Sequence, residues 1–191
     1  MNNVITTLSL ALISCYMPST SDIHEIYIEK RNIECVESNG DMETYFLEYK
    51  NKCNLYLKRR CFKGTPLTGK ILSECAKNTY DKYGMIVPFE LALSQAQMES
   101  HMGTKGKSCK NNPYNVGEYD NRTAIVFSST EKGVQAYFDL IASDYLSEKD
   151  IDELLKNFTN CRNQRYASSK SYERKISRQL KFIKKYIKKR C

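Results

Sequence analysis

Leu91-Ala-Leu-Ser-Gln-Ala-Gln-Met-Glu99-Ser-His-Met-Gly103 is soon followed by Asn111-Asn-Pro-Tyr-Asn-Val-Gly117. The first block sets one carboxylate near the end of a helix of small and apolar residues, and the second is a polar loop. Ala92, Gln95, Ala96 and Glu99 share one helical face, by spacings of three and four. Alanines beside a carboxylate let another element approach closely and displace water. Loss of water and the negative end of a helix dipole both raise a carboxyl pKa. A carboxylic acid that keeps its proton near neutral pH is what cleavage of a glycosidic bond requires at the leaving oxygen. Most helical glutamates are solvated surface residues, however, so this block alone does not identify the chemistry.

Working outward, Pro88 opens that helix at its first turn, where a missing amide hydrogen costs little, and Gly103 ends it. Upstream, Ile71 to Tyr83 reads as a helix ending at Gly84, behind a boundary at Gly64-Thr-Pro-Leu-Thr-Gly69. Downstream, Gly103 to Tyr119 is loop and Thr123-Ala-Ile-Val-Phe127 a short strand candidate. Glu131 to Tyr145 is a helix with Val134, Tyr137, Phe138 and Ile141 inward, Ile151 to Phe158 is another, and a last helix runs from about Tyr172. The pattern predicts a mostly helical α+β domain over residues 65–191 with a small strand-and-loop lobe. Residues 19–64 read as a separate cysteine-containing extension. In it, Asp41 caps a helix whose Tyr45, Phe46, Tyr49, Cys53 and Tyr56 form one stripe. No chemistry is legible there, and its expected role is packing.

The 191 residues, 41% hydrophobic and 27% charged, suit one core plus an appended segment. Fourteen tyrosines and no tryptophan fit polar clefts and half-buried core sites alike. The net charge of +8 is concentrated at the end of the chain. Arg174 to Cys191 carries many Lys and Arg and no Asp or Glu, while Ile176, Leu180, Ile183 and Ile187 recur at helical spacing. A basic helix face of this kind favours a polyanion, and its apolar stripe is expected to close the domain core. No nucleic-acid reading motif accompanies the charge, so a nucleic-acid partner is not expected.

Val4 to Met17 is too short to span a bilayer and suits a secretion signal over residues 1–18. Leu12-Ile-Ser-Cys15 also resembles a lipoprotein cleavage box, which would attach a membrane anchor at Cys15. Seven further cysteines (Cys35, Cys53, Cys61, Cys75, Cys109, Cys161 and Cys191) predict disulfides in an exported chain. No Cys-x-x-Cys pair occurs and the two histidines, His24 and His101, lie far apart, so no zinc site is expected.

Four blocks in order resemble the glucosaminidase family of peptidoglycan hydrolases, which includes flagellar and autolysin glucosaminidases. They are Lys82-Tyr-Gly84 with Val87 to Gly103; Lys110-Asn-Asn-Pro-Tyr-Asn-Val-Gly117; Phe127 to Tyr137; and Arg165-Tyr-Ala-Ser-Ser-Lys-Ser-Tyr-Glu-Arg-Lys175. The resemblance implies a lysozyme-like fold and cleavage of β-1,4 bonds between N-acetylglucosamine and N-acetylmuramic acid in peptidoglycan glycan strands. It implies that Glu99 is the general acid, that Asn112, Tyr114 and Asn115 contact substrate, and that Tyr166 faces the scissile sugar. Against it, His101-Met102 replaces the usual aromatic residue after the glutamate block, and Asn115-Val116-Gly117 extends the usual aromatic-glycine turn. Both changes touch the cleft rim.

A second carboxylate, as base or nucleophile, is expected from Asp120, with Glu118 and Glu131 in reserve; the substrate's own N-acetyl group is a further route. No metal or organic cofactor is expected, and a monomer is. A lytic transglycosylase would share the fold and the acid, and a catalytically idle wall-binding protein would keep the fold alone.

Overall fold

The computed structural model describes residues 41–105, 111–117, 125–147 and 149–190. Helix α1 (Asp41–Leu57) leads through a 3-10 turn (Arg60–Phe62) to α2 (Gly69–Tyr83) and α3 (Phe89–Ser100). Helix α4 (Thr130–Leu140) runs on into a π-helical turn (Ile141–Tyr145), and α5 (Ile151–Lys156) and α6 (Tyr172–Lys188) complete the fold. The architecture is mostly helical, as the periodicity predicts.

The helix ends follow local chemistry. Thr68 caps α2, its hydroxyl accepting the Ile71 amide at 3.1 Å, and Gly84 stops that helix in the left-handed conformation (φ 66°) that only glycine adopts freely. Ser129 caps α4, and Asp150 with Glu153 forms a reciprocal capping box on α5. Helix α3 ends earlier than expected. His101, Met102 and Gly103 all take positive φ (50°, 63° and 76°), so the helix stops at Ser100. The buried Met102 side chain and the Thr65 hydroxyl on the Met102 carbonyl (2.6 Å) hold this turn.

Helix α3 is the central element. Leu91, Ala92, Leu93, Ser94, Gln95 and Ala96 are all buried, because α1 and α6 both pack on it. The α1 stripe lies against α2, burying Phe46, Tyr49, Cys53, Tyr56 and Leu57. Tyr49 donates to the Val87 carbonyl at 3.1 Å and Tyr56 to Gln97 Oε1 at 2.6 Å, while Gln179 Nε2 reaches both Tyr56 Oη and Gln97 Oε1. The described residues fall within one compact unit, and α1 supplies a share of its core. Each aromatic ring so buried contributes about 1.5–3 kcal/mol. Helix α6 closes the core with Tyr172, Ile176, Leu180, Ile183 and Ile187 and leaves its cations outside.

Two further expectations are corrected. Ile125–Phe127 is not a strand; side-chain amides of Asn112 and Asn111 take the Ile125 and Phe127 carbonyls at 3.1 and 3.0 Å, the role a neighbouring strand would play. The extended pairing among the described residues is a single bridge, Thr159–Arg165. Cys53, Cys61, Cys75 and Cys161 are free thiols, Cys53 and Cys75 within the core. The expected signal at 1–18 with Cys15, and also Cys35, Cys109 and Cys191, lie outside the described residues. No described helix is long and apolar enough to cross a membrane.

Candidate active site

A cleft of about 730 Å³ opens where the end of α3, the 111–117 loop, the π turn and the 159–168 segment meet. Glu99 occupies the last turn of α3 and lines it, half-buried. A directed chain of hydrogen bonds holds its carboxylate. Tyr137 donates to Gln95 Oε1 (2.5 Å), Gln95 Nε2 donates to Tyr172 Oη (3.0 Å), and the Tyr172 hydroxyl donates to Glu99 Oε1 (3.1 Å). On the other side, Asn115 Nδ2 donates to the Glu99 main-chain carbonyl (3.0 Å) and lies 3.5 Å from Oε2. Gln95 is fully buried, and both ends of its amide are engaged in this network.

The 111–117 loop is fixed to the helices at several points. Ser100 donates to the Pro113 carbonyl (2.5 Å) while accepting the Gly103 amide (2.7 Å). Tyr114 stacks on Tyr137, with ring centres 3.6 Å apart and planes 6° from parallel. Gly133 of α4 lies so close to the Asn111 carbonyl that a β-carbon there would overlap it. Opposite, Tyr145 and Tyr166 line the cleft, backed by buried Phe158 and Tyr172 in an aromatic cluster with centroids 5.2–5.6 Å apart.

The tyrosines next to Glu99 sit in a dry setting. Burial drives the hydroxyl pKa values of Tyr137, Tyr166 and Tyr172 well above the ordinary range, and the nearby Glu99 charge pushes each further. Neutral hydroxyls there remain hydrogen-bond donors throughout the physiological range.

Of the residues expected from the sequence, Glu99, Tyr114, Asn115 and Tyr166 line the same cleft. Asn112 does not. It is 1% exposed, and its side chain binds the Val116 amide and the Val116 and Ile125 carbonyls, so it braces its own loop instead of meeting a substrate. The Tyr114 hydroxyl is buried without a hydrogen-bond partner among the described residues, and the Cys53 and Cys75 thiols add to the effect of burial on it. That end of the side chain is a core plug. His101 bonds the Cys61 carbonyl (3.1 Å) and packs on Phe62, away from the cleft lining. Glu131 lies in the first turn of α4, where its backbone amide and Ser129 lower its pKa. Asp120 and Glu118 lie outside the described residues. The described carboxylate that joins Glu99 on the cleft is Asp144, which sequence reasoning missed because it sits in the π turn, where a helical face count slips by one residue. Tyr172 was missed as a site residue too, although the last resemblance block contains it.

Compared with protein families, residues 73–186 match the glucosaminidase family, described as mannosyl-glycoprotein endo-beta-N-acetylglucosaminidase. A search of curated proteins finds no match. The matched span contains Gln95, Glu99, Asn115, Tyr137, Asp144, Tyr166 and Tyr172, so the whole hydrogen-bonded cluster falls within it. Covering more than half of the sequence, this match makes the chain a member of the glucosaminidase family of glycoside hydrolases.

Proposed function

We propose that this protein is an exported, monomeric peptidoglycan glycosidase that hydrolyses β-1,4 bonds between N-acetylglucosamine and N-acetylmuramic acid, with Glu99 as the general acid. The observation that carries the reading is the Glu99 carboxyl at the foot of the cleft, held by Tyr172 and Asn115. A glycan strand in the cleft places its glycosidic oxygen against that carboxyl, which protonates it as the bond breaks. Positive charge then develops on the sugar ring. Tyr166 and Tyr145 give the ring a flat, water-poor face, and Asn115 fixes the acid. Asp120, three residues beyond Gly117 in the sequence, or Asp144 on the cleft activates the attacking water. Asparagine variants separate these two, since loss of the true base stops hydrolysis without weakening strand binding. The cations on the solvent face of α6 hold the enzyme on an anionic wall through a salt-screened attraction.

Digestion of purified peptidoglycan with mass analysis of the fragments tests the proposal. Hydrolysis predicts muropeptides carrying the added water. Anhydro sugars lighter by one water would make the protein a lytic transglycosylase. Sedimentation with the wall without fragment release would make it a binding protein on this fold.

A further inference from the structure

Arg162 and Arg165 both line the cleft, but their guanidinium groups are used differently. Arg165 donates to Glu173 Oε1 (2.6 Å) and to the Ser169 carbonyl (3.1 Å), so its charge is spent in holding the segment against α6. The Arg162 guanidinium has neither a hydrogen bond nor an ion pair among the described residues; only its backbone amide is bonded, donating to Asn160 Oδ1 (3.0 Å). Asp144, on the same cleft, takes the Ser143 hydroxyl at 2.7 Å and does not neutralise it.

The backbone under Arg162 is built to hold it in place. Asn160 ties the turn internally: its amide donates to the Gln164 carbonyl (2.9 Å), its Oδ1 also accepts the Gln164 amide (2.8 Å), and its Nδ2 reaches Gln164 Oε1 (3.0 Å). Asn163 takes the left-handed conformation (φ 59°) that the turn demands, and the Thr159–Arg165 bridge closes its base. The Cys161 amide donates to the Asp144 carbonyl (2.9 Å), and Lys149 clamps the Thr159 carbonyl (2.8 Å) from outside. A fixed backbone carrying an unpaired arginine at a cleft is the arrangement that recognises a planar oxyanion, because the guanidinium fork matches a carboxylate with two parallel bonds.

We propose that Arg162 forms a subsite for a carboxylate carried by a sugar of the bound strand, and so selects acidic glycans over neutral ones. This rests on the reading of the Glu99 cleft as a glycan site. In that reading the carboxylate is the lactyl or peptide acid of the muramic residue, and a neutral N-acetylglucosamine polymer has nothing to offer Arg162.

The test compares peptidoglycan strands with the same strands after methyl esterification of their carboxyl groups. The wild-type kcat/KM ratio, native over esterified, should be about ten or more. At a salt concentration that screens the α6 attraction, the ratio in Arg162→Gln should fall to about one through KM, and Arg162→Lys should keep some of it. A ratio near one in the wild type, or an equal ratio in wild type and Arg162→Gln, would overturn the subsite. If the wild type cleaves neither substrate, the hydrolase reading fails separately. Calorimetric binding of the two strand preparations then gives the same ratio, and Arg162→Gln must again erase it for the subsite to stand.

Discussion

At the scale of single residues, the cluster around Glu99 depends on a side chain that the sequence pattern does not link to it. Gln95 and Glu99 share a face of α3 because they are four residues apart, and that much is legible from spacing. Tyr172, which joins them, comes from the start of α6, and no local periodicity connects residues so distant in the chain. Tyr172→Phe should keep the ring stacking yet remove one donor from Glu99 and one acceptor from buried Gln95. We expect kcat to fall about tenfold or more with KM near wild type, and stability to fall by about 1–3 kcal/mol from the stranded amide. Steady-state kinetics and urea unfolding measure these. An unaltered kcat would remove Tyr172 from the positioning of the acid. Asn112 and Asn115 teach the same lesson from the other side. They are one residue type in one loop, yet Asn115 takes a positive φ (53°) that turns it to Glu99, while Asn112 is consumed as a brace.

At the scale of elements, the helices were legible and their ends were less so. Apolar spacing and caps placed α2, α4 and α6 to within a few residues, since those signals are local. The early stop of α3 and the missing strand at 125–127 are set by tertiary partners, Thr65 in one case and two asparagine side chains in the other. Gly133 shows how an element positions the site. Its missing side chain lets the Asn111 carbonyl approach α4, and Asn111 is the first residue of the described stretch that leads to Tyr114 and Asn115. Gly133→Ala should push that loop off the helix, costing about 1–3 kcal/mol of stability and lowering activity together. A variant with wild-type melting and turnover would show that the close approach is dispensable.

At the scale of the whole molecule, tyrosines replace the more usual aliphatic side chains in much of the core. Tyr49, Tyr114, Tyr137, Tyr166 and Tyr172 all have hydroxyl pKa values raised well above 10.0, with burial as the main cause. In the unfolded chain each ionises near its ordinary value; in the folded chain each stays neutral. Their stabilisation is therefore fully present below about pH 10 and is lost as pH rises further, by up to about 1.4 kcal/mol per unit for each group. Urea midpoints across this range should decline above about pH 10 while tyrosinate absorbance from these rings lags behind that of the exposed ones. Simultaneous ionisation of all the tyrosines without unfolding would contradict the buried cluster. The composition had announced the tyrosines, but whether they lined a cleft or filled a core became visible only when α1 proved to belong to the same packed unit.

The central claim is that Glu99 supplies the proton that breaks the glycan. Its most direct test is fragment release from purified peptidoglycan by Glu99→Gln, measured beside wall binding and the far-ultraviolet helix signal. The account predicts a folded protein that binds the wall like the wild type and releases almost no soluble fragments. Near wild-type release by that variant would contradict it.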